Sequence, residues 1–210
     1  MSIVPMIFTS GWASGINAYA VVLLLGLFGR FGDAGAVPPG LERTDVLVVA
    51  AVLFLCEAVA DKIPYLDTVW DAVHTVVRPV TGATVGALLA GHAHGSLGAV
   101  AAGAMGGTTA LVSHLTKASL RMAVNTSPEP ASNIVLSLLE DIAVAAVITL
   151  AVFHPLAAAS VAGVLLLAGL LLVWLAVSRV RRFLQRRRER RAQRRTGAGA
   201  AVTAGDRIPG

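Results

Sequence analysis

The chain has 210 residues, of which 56% are hydrophobic, 14% charged and 5% aromatic, and its mean hydropathy is +0.75. A soluble domain carries about a quarter charged residues, so this composition excludes a water-facing globule and implies an integral membrane protein. The net charge of +5 is uneven, because residues 1–178 hold 6 Lys/Arg against 10 Asp/Glu while residues 179–210 hold 11 against 2, and the single Cys56 excludes an internal disulfide or a CxxC motif.

The first basic residue is Arg30, so the N-terminus lacks the charged start of a signal peptide, and the apolar run 7–29 is long enough to be a retained first span. A loop with Gly32, Gly35, Pro38, Pro39 and Gly40 leads to a second run, 46–60, which reaches spanning length only by including Glu57 and Asp61. Residues 65–78 put Leu66, Val69, Trp70, Val73, Val76 and Val77 on one helical face and Asp67, Asp71, His74, Thr75 and Arg78 on the other. That pattern predicts an amphipathic helix at the inner interface, with Asp67 and Asp71 toward water. After Pro79, residues 80–91 are apolar but short, which suits a half-helix, a re-entrant segment or the end of a helix that starts earlier.

The stretch 97–113 is rich in Gly and Ala and runs into His114, Lys117 and Arg121, and 125–133 is a Pro/Ser/Asn loop. Two clear spans follow, 134–153 and 156–177, separated by His154 and Pro155. Ten arginines between 179 and 195 should continue for some turns as a basic helix before a largely disordered Gly/Ala-rich end. The expected architecture is all-α: a polytopic membrane domain over 1–178 with about six hydrophobic segments, then an Arg-rich cytoplasmic tail over 179–210.

Cytoplasmic loops retain an excess of Lys and Arg, so the arginine run places the C-terminus inside. Six crossings would put the N-terminus inside as well, with Lys62, Arg78, Lys117 and Arg121 cytoplasmic and Arg30 and Arg43 outside; the location expected is the bacterial cell membrane. The segments that begin at Pro79 and at Pro155 are alike, and each follows a helix with a buried acid, Glu57 or Glu140. Such a pattern fits two inverted three-helix halves, and it also fits a chance alignment of Ala/Val/Leu helices.

Glu57 and Asp61 are four residues apart and share a helical face, while Glu140 and Asp141 place a second acidic pair in another span. A carboxylate at that depth costs about 2.5–3.5 kcal/mol on insertion scales, so it faces a cavity, a pathway or a partner charge. These four acids are the candidate cation or proton pathway, and the other reading of Asp61 is a pair with Lys62, Lys117 or Arg121. Asn17, after the GxxxG pair Gly11 and Gly15, either lines that pathway or hydrogen-bonds between helices, the commoner use of a buried amide. His114, Lys117 and Arg121 form a stripe that could grip an anion, or a basic helix end at the headgroup layer.

His92 and His94 read as loop residues rather than metal ligands, and whether any metal binds stays open. Gly82/Gly86/Ala90, Gly98/Ala102/Gly106 and Gly103/Gly107 read as small-residue packing ridges. No HExxH, GxSxG or P-loop is present, so neither an enzyme nor a cofactor is expected; a lipid-modifying activity would have to use Asp71, His74 and His114 and lacks a nucleophile. The arginine tail suits anionic lipid headgroups, at about 1 kcal/mol per basic residue, with no nucleic acid expected, and a homodimer is one assembly the glycine ridges allow.

The blocks Ser14-Gly-Ile-Asn-Ala-Tyr19, Ala60-Asp-Lys-Ile-Pro-Tyr-Leu-Asp-Thr-Val-Trp-Asp71 and Asn125-Thr-Ser-Pro-Glu-Pro-Ala-Ser-Asn133 resemble those of an uncharacterised family of small bacterial integral membrane proteins, a domain of unknown function. The resemblance covers roughly residues 5–177 and implies a location without an activity. Glu57-Ala-Val-Ala-Asp-Lys62 is also similar, more weakly, to the acidic element of small cation exchangers built from two inverted three-helix halves. The expected function is a channel or secondary transporter for a small ion or solute; the alternative is a non-transporting scaffold or partner-binding subunit in which acids and bases pair with one another.

Overall fold

The computed structural model describes residues 3–32, 35, 37–63, 65–91, 96–124 and 130–205. Among the described residues the regular elements are all helical: α1 (Ile3–Ile16), α2 (Ala18–Phe31), α3 (Thr44–Ala60), α4 (Leu66–Gly91), α5 (Ser96–Val124), α6 (Pro130–Phe153) and α7 (Pro155–Gly205), with a short 3-10 turn at Pro39–Leu41. His92 and His94, and residues 125–129 of the expected loop, lie outside the described residues. Three helices are long and apolar enough to cross a membrane, Leu66–Gly91, Ala131–Phe153 and Pro155–Phe183, which is compatible with a membrane protein. The chain divides into two units, Met1–Leu170 and Leu171–Gly210. The second is the continuation of α7, helical to Gly205 and so longer than the few basic turns expected, with Arg179, Arg181 and Arg182 exposed.

The expected first span is instead two helices of 14 residues each. Asn17 between them is extended, with φ −147° and ψ 97°, and its side-chain oxygen accepts the Ala20 N–H, so the amide that interrupts α1 also caps α2. The chain reverses there. Gly11 lies against Gly106 and Gly15 against Ala110, so α1 runs parallel to α5; Gly82 lies against Gly106 and Gly86 against Ala102, so α4 runs opposite to both. In contrast, α2 runs alongside α6, with Asn17 bonded to Asp141 and Phe28 edge-on to Phe153. At 1.5 Å per residue each arm is about 21 Å long, short of the ~30 Å hydrocarbon layer.

Of the three readings open for 80–91, the structure has the last, the end of a helix that starts earlier: the polar and apolar stretches form one helix, α4, with Pro79 inside it. Its polar face points inward: Asp67 and Arg78 are 0% exposed and His74 1%, whereas Val69, Val73 and Val76 are about 60% or more exposed. The amphipathic reading located the two faces correctly and assigned them to the wrong surroundings. The acids and the arginine have partners inside the bundle, so the face that remains outside is the apolar one.

The interior is segregated along the helix axes. Toward one end Ile7, Leu25, Val85, Leu89, Val144 and Ile148 form an apolar core, and toward the other the inward positions of α3 to α6 carry charge. Pro79 lies inside α4 while Pro155 opens α7, so the two similar segments occupy different helical contexts.

The Asn17 bend yields a test of the fold. Asn17→Ala is expected to lower stability by about 1 kcal/mol through the lost cap. Asn17→Asp keeps the cap but sets a second carboxylate against Asp141, so it should unfold at a lower temperature than the alanine variant in a thermal melt in detergent.

Candidate functional site

The tip of the α1–α2 hairpin ends among charged side chains from four helices. Helix α1 terminates in carbonyls that have no continuing turn to bond, and such a terminus attracts cations. Lys117 Nζ of α5 donates to Ile16 O at 2.8 Å, and Arg78 Nη1 of α4 reaches Gly15 O at 3.5 Å. On the other side of the tip, Asn17 Nδ2 donates to Asp141 Oδ1 of α6 at 3.1 Å.

Around this tip the ion pairs form two linked groups. In the first, Arg78 Nη2 is 2.7 Å from Glu57 Oε1 and Nη1 is 3.0 Å from Asp71 Oδ1, with all three side chains almost fully buried. In the second, Asp61 Oδ2 accepts from Lys117 Nζ at 2.9 Å and from Arg121 Nη2 at 2.8 Å. Glu140 Oε2 accepts from Arg121 Nη2 at 2.5 Å and lies 3.2 Å from Lys117 Nζ. Lys117 Nζ also lies 3.9 Å from Glu57 Oε1 and so joins the groups. The i, i+4 spacing of Glu57 in the last turn of α3 and Asp61 at its C-cap meets the i, i+4 spacing of Lys117 and Arg121 on α5, which is why one helix face serves both.

Two histidines flank the network with their protons fixed by geometry. His114 Nδ1 is 2.7 Å from Arg78 Nη1; a guanidinium nitrogen can only donate, so Nδ1 accepts. Its proton is then on Nε2, which faces Thr75 Oγ1 at 3.1 Å, and that hydroxyl donates onward to Asp71 O at 3.0 Å. His74 stacks on Trp70, with Nδ1 2.8 Å from Trp70 O and Nε2 3.1 Å from the Tyr19 hydroxyl.

Not every polar atom is satisfied. Glu57 Oε2 and Asp61 Oδ1 are buried without a hydrogen-bond partner among the described residues. A cavity of about 200 Å³ between α4 and α5 is lined by Thr68, Asp71, Ala72, Thr75, Ala118, Arg121 and Met122, so it reaches both groups from outside. A larger one of about 360 Å³, lined mostly by apolar side chains of α2 and α3, touches Tyr19.

The structure thus brings together Asn17, Glu57, Asp61, Glu140, Asp141, His114, Lys117 and Arg121, the acids and bases engaging one another rather than standing as separate cation and anion sites. Sequence reasoning placed Arg78, Asp71 and His74 at a water-facing surface and so missed the guanidinium at the centre. Among the described residues no three His, Cys, Asp or Glu side chains converge as a metal ion would need.

A family model, the domain of unknown function DUF4126, matches residues 4–175. The chain belongs to that family. No curated protein and no solved structure matches it. The DUF4126 match takes in α1 to α6 and the first part of α7, and therefore every residue of the network, and it stops before the first arginine of the basic run.

Proposed function

We propose that this chain is a multi-pass protein of the bacterial cell membrane that moves a small cation or a proton, as a channel or secondary transporter, through the buried ionic network. The observation that carries the reading is the paired half-helices: their junction at Asn17 offers the α1 carbonyls to Lys117 and Arg78 beside a fully buried Glu57. Interrupted helices with unwound backbone at an intramembrane charge are how many transporters build an ion site. The exposed apolar face of α4, with charge kept inside, supports a lipid surrounding.

No enzymatic role is proposed, and the exposed Arg179, Arg181 and Arg182 suit the anionic headgroups of the inner leaflet. The scaffold reading draws on a specific observation too: Asp61 and Glu140 each hold the same two cations, Lys117 and Arg121. The two readings diverge in reconstituted vesicles. Transport predicts that Glu57→Gln reduces cation or proton flux at least tenfold with the protein still folded, and a scaffold predicts no flux in either form.

The hairpin changes the expected topology. α3 to α6 each run from one end of the bundle to the other, while α1 and α2 go in and return, so the N-terminus shares a side with the 32–43 loop. With the arginines cytoplasmic, the N-terminus and residues 91–96 lie outside, against the inside N-terminus that six crossings would give. Reporter fusions at the N-terminus, within 91–96 and after Arg195 should read outside, outside and inside; a cytoplasmic N-terminus would show that α1 and α2 cross together.

A further inference from the structure

We infer that the network holds one exchangeable proton, on Glu57 Oε2, and that this proton is reached from the cavity at Asp71. The inference deepens the transport reading and rests on it only for the meaning of the exchange; the proton itself is a property of the site.

Contacts within 4 Å join four carboxylates, Glu57, Asp61, Asp71 and Glu140, to three cations, Arg78, Lys117 and Arg121. His114 cannot be the fourth cation, because its Nδ1 accepts from Arg78. His74 is bonded to Trp70 O and the Tyr19 hydroxyl and makes no ion pair among the described residues. The network with every acid ionised therefore carries one uncompensated negative charge in a place almost without solvent, and one added proton makes it neutral.

The position of that proton follows from the partners. Asp61 and Glu140 each have two cations on one oxygen, so their charge is held. Glu57 and Asp71 share the single Arg78, and among the described residues the one other cation within 4 Å of Glu57 is Lys117, at 3.9 Å. Of the two, Glu57 is wholly buried and its Oε2 has no partner among the described residues, whereas Asp71 lines the cavity of about 200 Å³. A proton on Oε2 leaves Oε1 free to keep accepting from Arg78.

Asp71 then serves as the point of exchange. A hydronium in the cavity gives its proton to the Asp71 carboxylate and leaves as water; a second water entering from the cavity takes that proton from Asp71 as it gives one of its own to Glu57 Oε2, which has no protein partner among the described residues, and Asp71 is ionised again. Among the described residues the charged or titratable groups around Glu57 are Asp61 at the C-cap of α3, Asp71, His74 and Arg78 of α4, His114, Lys117 and Arg121 of α5, Glu140 and Asp141 of α6 and Tyr19 of α2. Loss of the Lys117 proton would leave Asp61 and Glu140 to share Arg121 alone, so uptake falls on the acids.

Infrared difference spectroscopy of the full chain in lipid vesicles at neutral pH tests this. The wild type should show the carbonyl stretch of one protonated carboxylic acid per chain, lost in Glu57→Gln, shifted in frequency in Glu57→Asp and unchanged in Glu140→Gln. In heavy water the band should shift at least tenfold more slowly in Asp71→Asn than in the wild type. Absence of the band, or its survival in Glu57→Gln, overturns the assignment, and equal exchange rates overturn the route through Asp71. If the glutamine variant does not fold, the shifted band of Glu57→Asp carries the test. A band that behaves as expected without any flux supports the proton site and overturns the transport reading, whereas flux of a metal cation without the band does the reverse.

Discussion

Arg78→Leu is expected to destabilise the bundle by roughly 3–5 kcal/mol, the usual cost of removing one partner from a buried ion pair. The reason is specific to this guanidinium, which at once holds Glu57 at 2.7 Å, Asp71 at 3.0 Å and His114 Nδ1 at 2.7 Å. Leucine fills much of the volume but takes the donor away from Asp71, Glu57 and the His114 acceptor nitrogen at once. Arg78→Lys should fall between the two, since an ammonium keeps the charge but cannot reach three partners from one planar fork. The triple change Arg78→Leu, Glu57→Gln, Asp71→Asn removes both acids along with the cation and should regain most of the loss. That recovery is a coupling that independent sites would not show. Unfolding in detergent, followed by helical content against temperature or denaturant, measures all three; a cost below about 1 kcal/mol for Arg78→Leu would mean that the pairs contribute no more than exposed ones do.

The helical class was legible because composition and periodicity decide it, and so was the collection of acids, since Glu57, Asp61, Glu140 and Asp141 stand out in apolar runs. What escaped was direction. The polar stripe of α4, Asp67, Asp71, His74 and Arg78, continues at the same spacing into Gly82, Val85, Gly86 and Leu89, and the structure buries all of them. A single stripe that passes from charge to glycine marks one packed face, and that continuity selects the single helix among the readings open for 80–91. The Asn17 reversal was obscured differently: the residues on both sides are uniformly apolar, so no periodicity changes there, and only the cap preference of asparagine hinted at a new helix start. The partners of each charge depend on which helices face one another, which no local pattern states.

The second large effect concerns the packing that brings the hairpin tip to the cations. Helices α1, α4 and α5 meet around Gly106: a Cβ on Gly11 would lie 2.7 Å from Gly106 O, and one on Gly82 would lie 2.8 Å from the same oxygen. A Cβ on Gly106 itself would lie 3.1 Å from the Gly82 carbonyl carbon and closer still to its oxygen. The obstacles are backbone atoms, which cannot rotate away, so Gly106→Val must push whole helices apart. We expect a loss of about 3 kcal/mol, at the upper end of the range for overpacking. Gly163→Ala is the control, because nothing lies within 4 Å of its Cβ position; it should be neutral or stabilising by about 0.5–1 kcal/mol, as for Gly→Ala in a helix interior. Separating α1 from α5 also withdraws Ile16 O from Lys117 Nζ, now 2.8 Å away. Gly106→Val should therefore abolish flux in vesicles even at a temperature where it stays folded, while Gly163→Ala retains it; equal flux in the two variants would show that the tip need not touch Lys117 for the site to work.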